Sequence, residues 1–278
     1  MKIIRFLRTL KEKNNPSKYL LAIFLIKSSL CKFCTINMDL YKLKFYPSSL
    51  SLALWLNPKD RIIDETFFQS FLEKNDNVID VGANIGSLTL LAASIVKPDG
   101  KVFAIEPHPK IFTYLKGNIL KNNLKNIQVF KNSVGNIEKT SYFSNLRSDD
   151  QNAVDTTNNG LEVSQKTLDQ LIPENIRIHL IKIDVEGYEK FVLLGSEKIL
   201  KNTDCVYFEA VSKQYKKYGY DFKEIYKLFI NLNFKIYKFD DASNISQIYE
   251  NYVPEQENLI AIKNIDSFIS RTHFKINS

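Results

Sequence analysis

The chain has 278 residues, of which 44% are hydrophobic and 25% are charged, and its formal net charge is +7 with a pI near 9.0. This composition is typical of a folded globular protein and excludes a disordered one. The basic charge permits an anionic partner. Because Asn, Lys and Ile are abundant throughout, we attribute the charge to compositional bias and predict that nucleic acid is not the partner.

Cysteine use bears on the compartment and on metal binding. The chain has three cysteines, Cys31, Cys34 and Cys205. A small and odd number of cysteines argues against a disulfide framework and favours a cytoplasmic location. Cys31 and Cys34 form a lone CxxC without a second ligand pair for zinc. We therefore predict no metal ligands.

Two apolar segments open the chain. Residues 1–13 place Ile, Phe and Leu at helical spacing between Lys and Arg residues, which predicts a basic amphipathic helix. Residues 19–26 are apolar throughout, but the run is far shorter than the ~20 residues of a membrane span. These segments either pack on the main domain or contact a membrane peripherally. We assign residues 1–60 to an N-terminal extension of helices and a short hairpin, the hairpin over 38–56.

A strand, a turn and a helix start follow one another in the segment NVIDVGANIG, residues 77–86. Its first half is an apolar run typical of a strand buried on both faces. Gly82, Asn84 and Gly86 then occupy alternate positions, and a helical pattern begins at Ser87. A strand, a Gly-rich turn and a helix N-terminus form a nucleotide site at the carboxyl edge of a parallel sheet.

A second strand, KVFAIE, ends at Glu106, 20 residues after Gly86. Dinucleotide-binding folds place the acid that binds a ribose hydroxyl pair at about this distance. The dinucleotide pattern GxGxxG, however, requires glycine at two positions where this chain has Asn84 and Ser87. We therefore expect a nucleoside ligand, with S-adenosylmethionine as the candidate.

Strands and helices continue to alternate, which indicates a mostly parallel sheet. Helices are predicted at 64–74, 109–122, 190–200 and 222–232, and strands at 127–130, 179–184, 205–211, 234–239 and 258–263, the last pair antiparallel. Residues 146–163 are polar and predict a surface loop, either a substrate lid or a disordered segment. Residues 266–278 are predicted to be a C-terminal tail.

Three segments resemble one known family. They read DVGANIGSLTLLAA from Asp80, AIEPHPKIFTYLKGNI from Ala104 and KIDVEGYE from Lys182. In this order and spacing they resemble the FkbM family of S-adenosylmethionine-dependent methyltransferases, over residues 77–238. The resemblance implies a Rossmann-like class I methyltransferase fold over residues 61–265, an α/β fold with a mostly parallel seven-stranded sheet and helices on both faces.

The predicted cofactor site lies at the carboxyl ends of the strands. The resemblance implies that the loop after the third strand lines the adenine. The backbone N–H groups of residues 82–86 are expected to hold the methionine carboxylate, Asp80 the amine, directly or through water, and Glu106 both ribose hydroxyls. The predicted cofactor-binding residues are Asp80, Gly82, Ala83, Asn84, Gly86, Glu106 and Ser133.

The predicted catalytic residues are Asp184, Glu186 and Glu209, any of which could serve as the base that a hydroxyl acceptor requires. Lys182 has two interpretations, a structural partner of a carboxylate or part of an acidic floor beneath the reacting groups. Asp184 and Glu186 could together hold a metal ion, but no third ligand stands at a sequence spacing that is typical of a metal site. His108 and Glu189 are two further candidate bases, but His108 is expected in an exposed loop and Glu189 at a helix N-terminus.

The family resemblance supplies the reaction: methylation of a hydroxyl on a glycan, glycolipid or other small molecule. Two alternatives remain open. A methyltransferase that acts on nucleic-acid bases typically carries Asn or Asp-Pro-Pro-Tyr/Phe/Trp where this chain has Asp184-Val-Glu-Gly. A non-catalytic adapter with the same fold would have no need to retain Gly82, Gly86 and Glu106.

Overall fold

A computed structural model describes residues 15–146, 151–157, 159–241 and 243–277. The amphipathic helix predicted over residues 1–13 lies outside this part of the chain. Within it, no helix is both long enough and apolar enough to cross a bilayer.

The N-terminal extension is a mixture of short elements. In order these are helix α1 Pro16–Lys27, a 3₁₀ turn Leu30–Phe33, strands β1 Thr35–Asn37 and β2 Lys42–Lys44, and helix α2 Ser49–Leu56. The hairpin of β1 and β2 starts earlier than predicted, and α2 takes up the rest of the predicted hairpin range. Helix α2 begins here because the Ser48 side chain accepts a hydrogen bond from the backbone N–H of Ser51, a typical N-cap.

The main domain alternates strands and helices as far as β5. It contains α3 Ile62–Phe71, β3 Asn77–Val81, α4 Ser87–Val96, β4 Lys101–Ile105, α5 Pro109–Asn122 and β5 Ile127–Phe130. A group of short strands follows: β6 Ser133–Val134, β7 Lys139–Phe143, β8 Val154–Asp155 and β9 Leu161–Lys166. The remainder comprises α6 Leu168–Leu171, β10 Ile178–Ile183, α7 Glu189–Leu194, α8 Glu197–Lys201, β11 Thr203–Ala210, α9 Ser212–Tyr215, a 3₁₀ turn Lys216–Tyr218, α10 Phe222–Asn231, β12 Lys235–Phe239, β13 Asn244–Gln247, β14 Glu257–Ile262, α11 Ile265–Thr272 and β15 Lys275–Asn277.

The central sheet has the order β15-β13-β12-β14-β11-β10-β3-β4-β5. Strands β11, β10, β3, β4 and β5 are parallel, and β14 is antiparallel to both β11 and β12. The seven strands from β12 to β5 are those of the predicted class I methyltransferase fold. Strands β13 and β15 extend this sheet to nine strands.

Residues 266–277 of the predicted C-terminal tail contribute most of α11 and the strand β15. Phe268 of α11 is buried beside Phe67 and Phe71 of α3. Phe274 is buried beside Phe239 of β12. Strand β15 pairs in parallel with β13. Burial of these two aromatic rings removes apolar surface from water, which stabilises the segment against the domain.

Alternation along the strands places an apolar cluster on each face of the sheet. On β3, Val78 packs with residues of α3, α4 and α11, whereas its neighbour Ile79 packs with residues of α7, α8 and α10. On β10, Leu180 and Ile181 divide between the same two clusters. Helices on both faces leave the carboxyl ends of the parallel strands as the open edge.

A second sheet of order β6-β9-β7-β8 stands beside this edge. It includes part of the segment predicted as a loop: β8 and the start of β9 lie within residues 146–163. Strand β9 pairs with β7 from Leu161 to Gln165, so its polar side chains alternate with apolar ones such as the buried Val163. That short alternation is the strand signal that the sequence analysis missed. Residues 147–150 and 158 of this segment lie outside the described ranges.

Candidate active site

The turn after β3 needs glycine at two positions. Gly82 has φ +79°, and a Cβ there would lie 2.0 Å from the backbone oxygen of Asp184 on the neighbouring strand end. Gly86 has φ +91° and precedes the first residue of α4. A side chain would be strained at both, so these glycines let the turn pack directly against the strand end.

The backbone N–H groups of this turn are all used within the protein. Those of Gly82 and Ala83 both donate to the carbonyl of Ile105 at 3.0 Å. The N–H of Asn84 donates to Oε2 of Glu106 at 2.9 Å, that of Ile85 to the Asn84 side chain, and that of Gly86 to the Ala83 carbonyl. Because each of these hydrogens already has an acceptor, a carboxylate would have to share one of them, and the contact between residues 82–86 and the methionine carboxylate stays a prediction.

Asp80 and Lys182 form a buried ion pair across β3 and β10. Their side chains are 1% and 3% exposed, and Nζ of Lys182 lies 3.2 Å from Oδ1 of Asp80. The same ammonium donates to the carbonyl of Gly82 at 2.7 Å, and Oγ1 of Thr89 donates to Oδ2 of Asp80. Burial by itself lowers the pKa of Lys182, but Asp80 and Asp184 outweigh it and raise that pKa. Of its two interpretations, Lys182 fits the structural partner.

Asp80 was predicted to hold the cofactor amine, directly or through water, and this contact stays a prediction. Its two carboxylate oxygens face Thr89 and Lys182, and it is absent from the residues that line the cavity described below. The Asp80 side chain holds Lys182 in place, and the Lys182 ammonium donates a hydrogen bond to the Gly82 carbonyl, so the ion pair stabilises the turn after β3.

Glu106 ends β4 beside this turn and is 5% exposed. Its Oε2 accepts the N–H of Asn84, and its Oε1 accepts the N–H of His108 at 2.8 Å. Burial raises the pKa of Glu106 to about 7, against the lowering effect of these two hydrogen bonds. Each oxygen accepts one backbone hydrogen and keeps a lone pair, so the carboxyl can still accept two hydroxyl donors.

A cavity of about 700 Å³ opens at the carboxyl edge of the sheet. Four predicted cofactor residues line it, namely Gly82, Asn84, Glu106 and Ser133. Ser133 is buried, and its Oγ lies 3.0 Å from that of Ser141. Ala83 and Gly86, like Asp80, do not line the cavity, because they shape the turn from behind.

The three predicted catalytic residues meet in this cavity. Asp184 follows β10, Glu186 follows two residues later with φ +56°, and Glu209 ends the adjacent strand β11. One carboxylate oxygen from each lies within 4.8 Å of the others, a spacing at which a divalent cation could be held. Glu209 is the third group that the sequence spacing did not reveal, since it comes from a neighbouring strand.

The surroundings of the three carboxyls differ. Oδ2 of Asp184 lies 3.5 Å from Nζ of Lys182 and 3.9 Å from the guanidinium of Arg61. Oε2 of Glu186 accepts a short hydrogen bond from Nε2 of Gln214. Oε2 of Glu209 is buried, and no group in the described part of the chain forms a hydrogen bond with it.

Glu209, like Glu106, is a carboxyl of this cavity whose pKa is shifted into the range of proton transfer. Burial raises its pKa to about 8, and the negative charges of Asp184 and Glu186 add to the effect. A carboxyl that gains and loses a proton near neutral pH is suited to general base catalysis.

The two remaining candidates lie outside the cavity. Glu189 is the first residue of α7, as expected, and its Oε1 accepts the N–H groups of Val185 and Gly187 at 3.2 Å. Burial raises the pKa of Glu189 to about 8. His108 was expected in an exposed loop, but it is 5% exposed and its Nε2 lies 3.2 Å from Oδ1 of Asn145, since β7 and the following residues cover it.

Sequence reasoning missed several residues that line the cavity. Arg61 is the most informative of them, because its Nε donates to Oδ2 of Asp64 at 2.9 Å and its guanidinium faces Asp184. It precedes α3, outside the segments that resemble the FkbM family, and its only sequence signal is the i, i+3 pair with Asp64. Lys213, Gln214 and Lys217 follow β11 in an unremarkable polar stretch.

The protein-family model of the methyltransferase FkbM domain matches this sequence over residues 80–236, more than half of the chain. The chain belongs to the FkbM methyltransferase family. The match contains the turn after β3, Glu106 and all three carboxylates of the cavity. It begins after Arg61 and Asp64, which explains why the family motifs could not indicate them.

Individual relatives are more distant. A "Probable ribosomal RNA small subunit methyltransferase A" from Methanosphaera stadtmanae is 42% identical over 60 residues, 22% of this chain and 21% of that protein. The chain thus spans about a fifth of that relative. A SAM-dependent methyltransferase from Aquifex aeolicus is 15% identical with a TM-score of 0.43, covering 73% of this chain and 89% of its own. A SAM-dependent O-methyltransferase from Thermotoga maritima is 15% identical with a TM-score of 0.41, covering 74% and 65%.

Proposed function

We propose that this FkbM methyltransferase binds S-adenosylmethionine in the cavity and methylates a hydroxyl group of a glycan, glycolipid or other small molecule, with Glu209 as the general base. The single observation that carries the proposal is the pairing of two carboxyls at one edge of the sheet. Glu106 is placed for a ribose, and Glu209 has a pKa near the physiological range.

The chain's residues fit a nucleoside cofactor. A volume of about 700 Å³ is within the range of ligand sites, roughly 300–1,000 Å³. Glu106 retains acceptor capacity for two ribose hydroxyls, and Asn132, Ser133 and Val134 line the wall that the family fold gives to the adenine. S-adenosylmethionine supplies an activated methyl group when bound.

The methionine carboxylate needs donors other than the turn. Among the described residues, the cations that line the cavity are Arg61, Lys213 and Lys217. We assign the carboxylate to Arg61, because Asp64 holds this guanidinium in place and a planar fork suits a carboxylate.

Residues of the chain have distinct roles toward the acceptor. Glu186 is held by Gln214 and Asp184 by Lys182, so both have fixed positions from which they can accept a hydrogen bond from the hydroxyl and orient it. Glu209 then takes the hydroxyl proton as the methyl group is transferred. Positioning of the acceptor contributes up to ~7–11 kcal/mol and the base a further ~10²–10⁴-fold in rate.

The acidic lining supports a hydroxyl acceptor over a polyanion. Asp64, Glu106, Asp184, Glu186 and Glu209 all line the cavity, and a phosphate backbone that approached them would be repelled. The name of the Methanosphaera stadtmanae relative nevertheless makes ribosomal RNA the alternative to test.

All three cysteines are free thiols, which supports the proposed cytoplasmic location.

The experiment is methyl transfer from radiolabelled S-adenosylmethionine to three fractions of the host: glycolipid, polysaccharide and total RNA. We expect label in a glycan-containing fraction and a ~10²–10⁴-fold lower rate for Glu209→Gln. Glu197→Gln, at an exposed ion pair with Lys201, is the matched control and should keep the full rate. Label confined to RNA, or an unchanged rate for Glu209→Gln, would contradict the proposal.

A further inference from the structure

The positive charge of the chain is concentrated at one end. Eight of its 38 Lys and Arg residues lie before residue 39, but only one of its 31 Asp and Glu residues does. This segment therefore has a formal net charge of +7, equal to that of the whole chain, and the residues from 39 onward have a net charge of zero. The excess arises because acidic residues are nearly absent from this segment, whereas the other 30 basic residues are balanced by 30 acidic ones.

Helix α1, within this basic segment, exposes large apolar side chains. It is apolar around most of its circumference, a pattern typical of a helix that is covered on all sides. The described residues cover one side of it: Ala22 is buried, and Nζ of Lys18 donates to the Leu56 carbonyl at the end of α2. Leu20, Leu21 and Phe24 share the opposite side and are 45%, 49% and 60% exposed.

The 3₁₀ turn after α1 also exposes an apolar and a basic side chain. Phe33, in the 3₁₀ turn after α1, is 75% exposed, and the ammonium of Lys32 lies 5.0 Å from the centre of its ring. Lys27 is exposed one helical turn after Phe24. We define the apolar–basic face by these residues: Leu20, Leu21, Phe24, Lys27, Lys32 and Phe33.

We propose that the apolar–basic face binds the surface of an anionic lipid bilayer. Bulky apolar side chains enter the boundary between headgroups and acyl chains, while neighbouring lysines meet lipid phosphates. Charge complementarity favours this partner, because the protein's positive excess is located in the segment that carries the face. Nucleic acid would use the lysines but has no use for three exposed aliphatic and aromatic side chains on one helix side.

The geometry fits attachment in the plane of the membrane. Helix α1 has 12 residues, a length of about 18 Å, against about 30 Å of hydrocarbon in a bilayer. Because its inner side is fixed to α2, it can lie on the surface without leaving the domain. The proposal does not depend on methyl transfer, since the face shares no residue with the cavity.

The test is flotation of the full-length protein with vesicles. We expect binding to mixed phosphatidylcholine–phosphatidylglycerol vesicles, weaker binding at high salt, and little binding to phosphatidylcholine alone. Lys27→Glu with Lys32→Glu should lower the partition coefficient at least about 25-fold, since each lysine contributes about fivefold. Phe24→Ser with Phe33→Ser should lower it about tenfold or more.

A matched control separates this face from general stickiness. Leu120 is 78% exposed on α5 and Lys235 is exposed on β12, so Leu120→Ser with Lys235→Glu should float like the wild type. The affinity for S-adenosylmethionine, measured on every variant, verifies folding. Equal binding to both kinds of vesicle, or full binding by the Phe24/Phe33 variant, would overturn the proposal. The proposal would also be overturned if the protein bound RNA in preference to vesicles and only the lysine variant lost that binding. It would be overturned as well if the wild type formed a dimer that the Phe24/Phe33 variant does not form.

Discussion

Glu106 offers the sharpest test of the cofactor site. Its carboxyl accepts one backbone N–H on each oxygen, from Asn84 and from His108, and has room for one more donor on each. In Glu106→Gln one oxygen becomes an NH₂ group, which then faces a backbone N–H and loses an acceptor for a ribose hydroxyl. A hydrogen bond to a charged group is worth ~1.5–3 kcal/mol, so the affinity for S-adenosylmethionine should fall about tenfold or more.

The pH dependence of the affinity gives a second measure of the same contact. Because burial raises the pKa of Glu106 to about 7, the free protein holds a proton there about half of the time at neutral pH. Ribose hydroxyls donate to the ionised carboxylate, so binding favours the charged form and lowers that pKa. Affinity should therefore rise with pH from about 6 to about 8, with release of about half a proton per ligand at pH 7.

Isothermal titration with S-adenosylmethionine and with NAD, in two buffers that differ in ionisation enthalpy, measures both quantities. The matched control is Glu197→Gln, an exposed glutamate of α8 that should leave affinity and proton release unchanged. Wild-type affinity in Glu106→Gln, or no proton release near pH 7, would refute the assigned contact. Tighter binding of NAD would refute the choice of a nucleoside over a dinucleotide.

Three further predictions concern the carboxyls and the ion pair. Glu209→Gln should leave the dissociation constant for S-adenosylmethionine unchanged and abolish the rise of kcat centred near pH 8; a retained rise would mean that another group is the base. Lys182→Met leaves the buried carboxylate of Asp80 unpaired, so the free energy of unfolding, measured with urea, should fall by ~3–5 kcal/mol. A fall below about 1 kcal/mol, the value of a surface ion pair, would contradict the structural role of Lys182. Burial raises the pKa of Glu106, Glu189 and Glu209, so the native state holds protons that the unfolded state has lost, and the free energy of unfolding should fall as pH rises from about 5 to about 8. A urea series that shows constant or increasing stability over this range would show that these groups are charged in the native state.

Local signals in the sequence were sufficient to predict the fold. The run from Asn77 to Gly86 specifies strand, turn and helix start by neighbouring residues alone, and the structure has β3, the turn and α4 at these positions. Acids at strand ends could be placed at one edge because parallel strands share their carboxyl ends. That argument correctly brought Asp184 and Glu209 into one cavity.

What the sequence could not provide depends on contacts between distant segments. Arg61 reaches the cavity from before α3, and its place beside Asp184 depends on a fold that brings residues 123 positions apart together. The C-terminal segment makes a contact of the same kind, since Phe268 lies in a short helix that α3 buries in an aromatic cluster. The Arg61 contact leaves no periodic signal in its own segment, whereas Ile265, Phe268 and Ile269 have the helical spacing that α11 shows.

The turn after β3 combines a backbone path that the sequence predicts with contacts that it does not. The spacing of Gly82 and Gly86 predicts the path, but the acceptors for the first three N–H groups of the turn are Ile105 and Glu106, at the end of the next strand. Because these acceptors are internal, the turn keeps its shape without a ligand, and Glu106 is already oriented for the ribose that we propose it binds. Such preorganisation lowers the ordering cost of binding. In the proposed site, an anionic ligand group is recognised by side chains such as Arg61, which no glycine spacing can reveal.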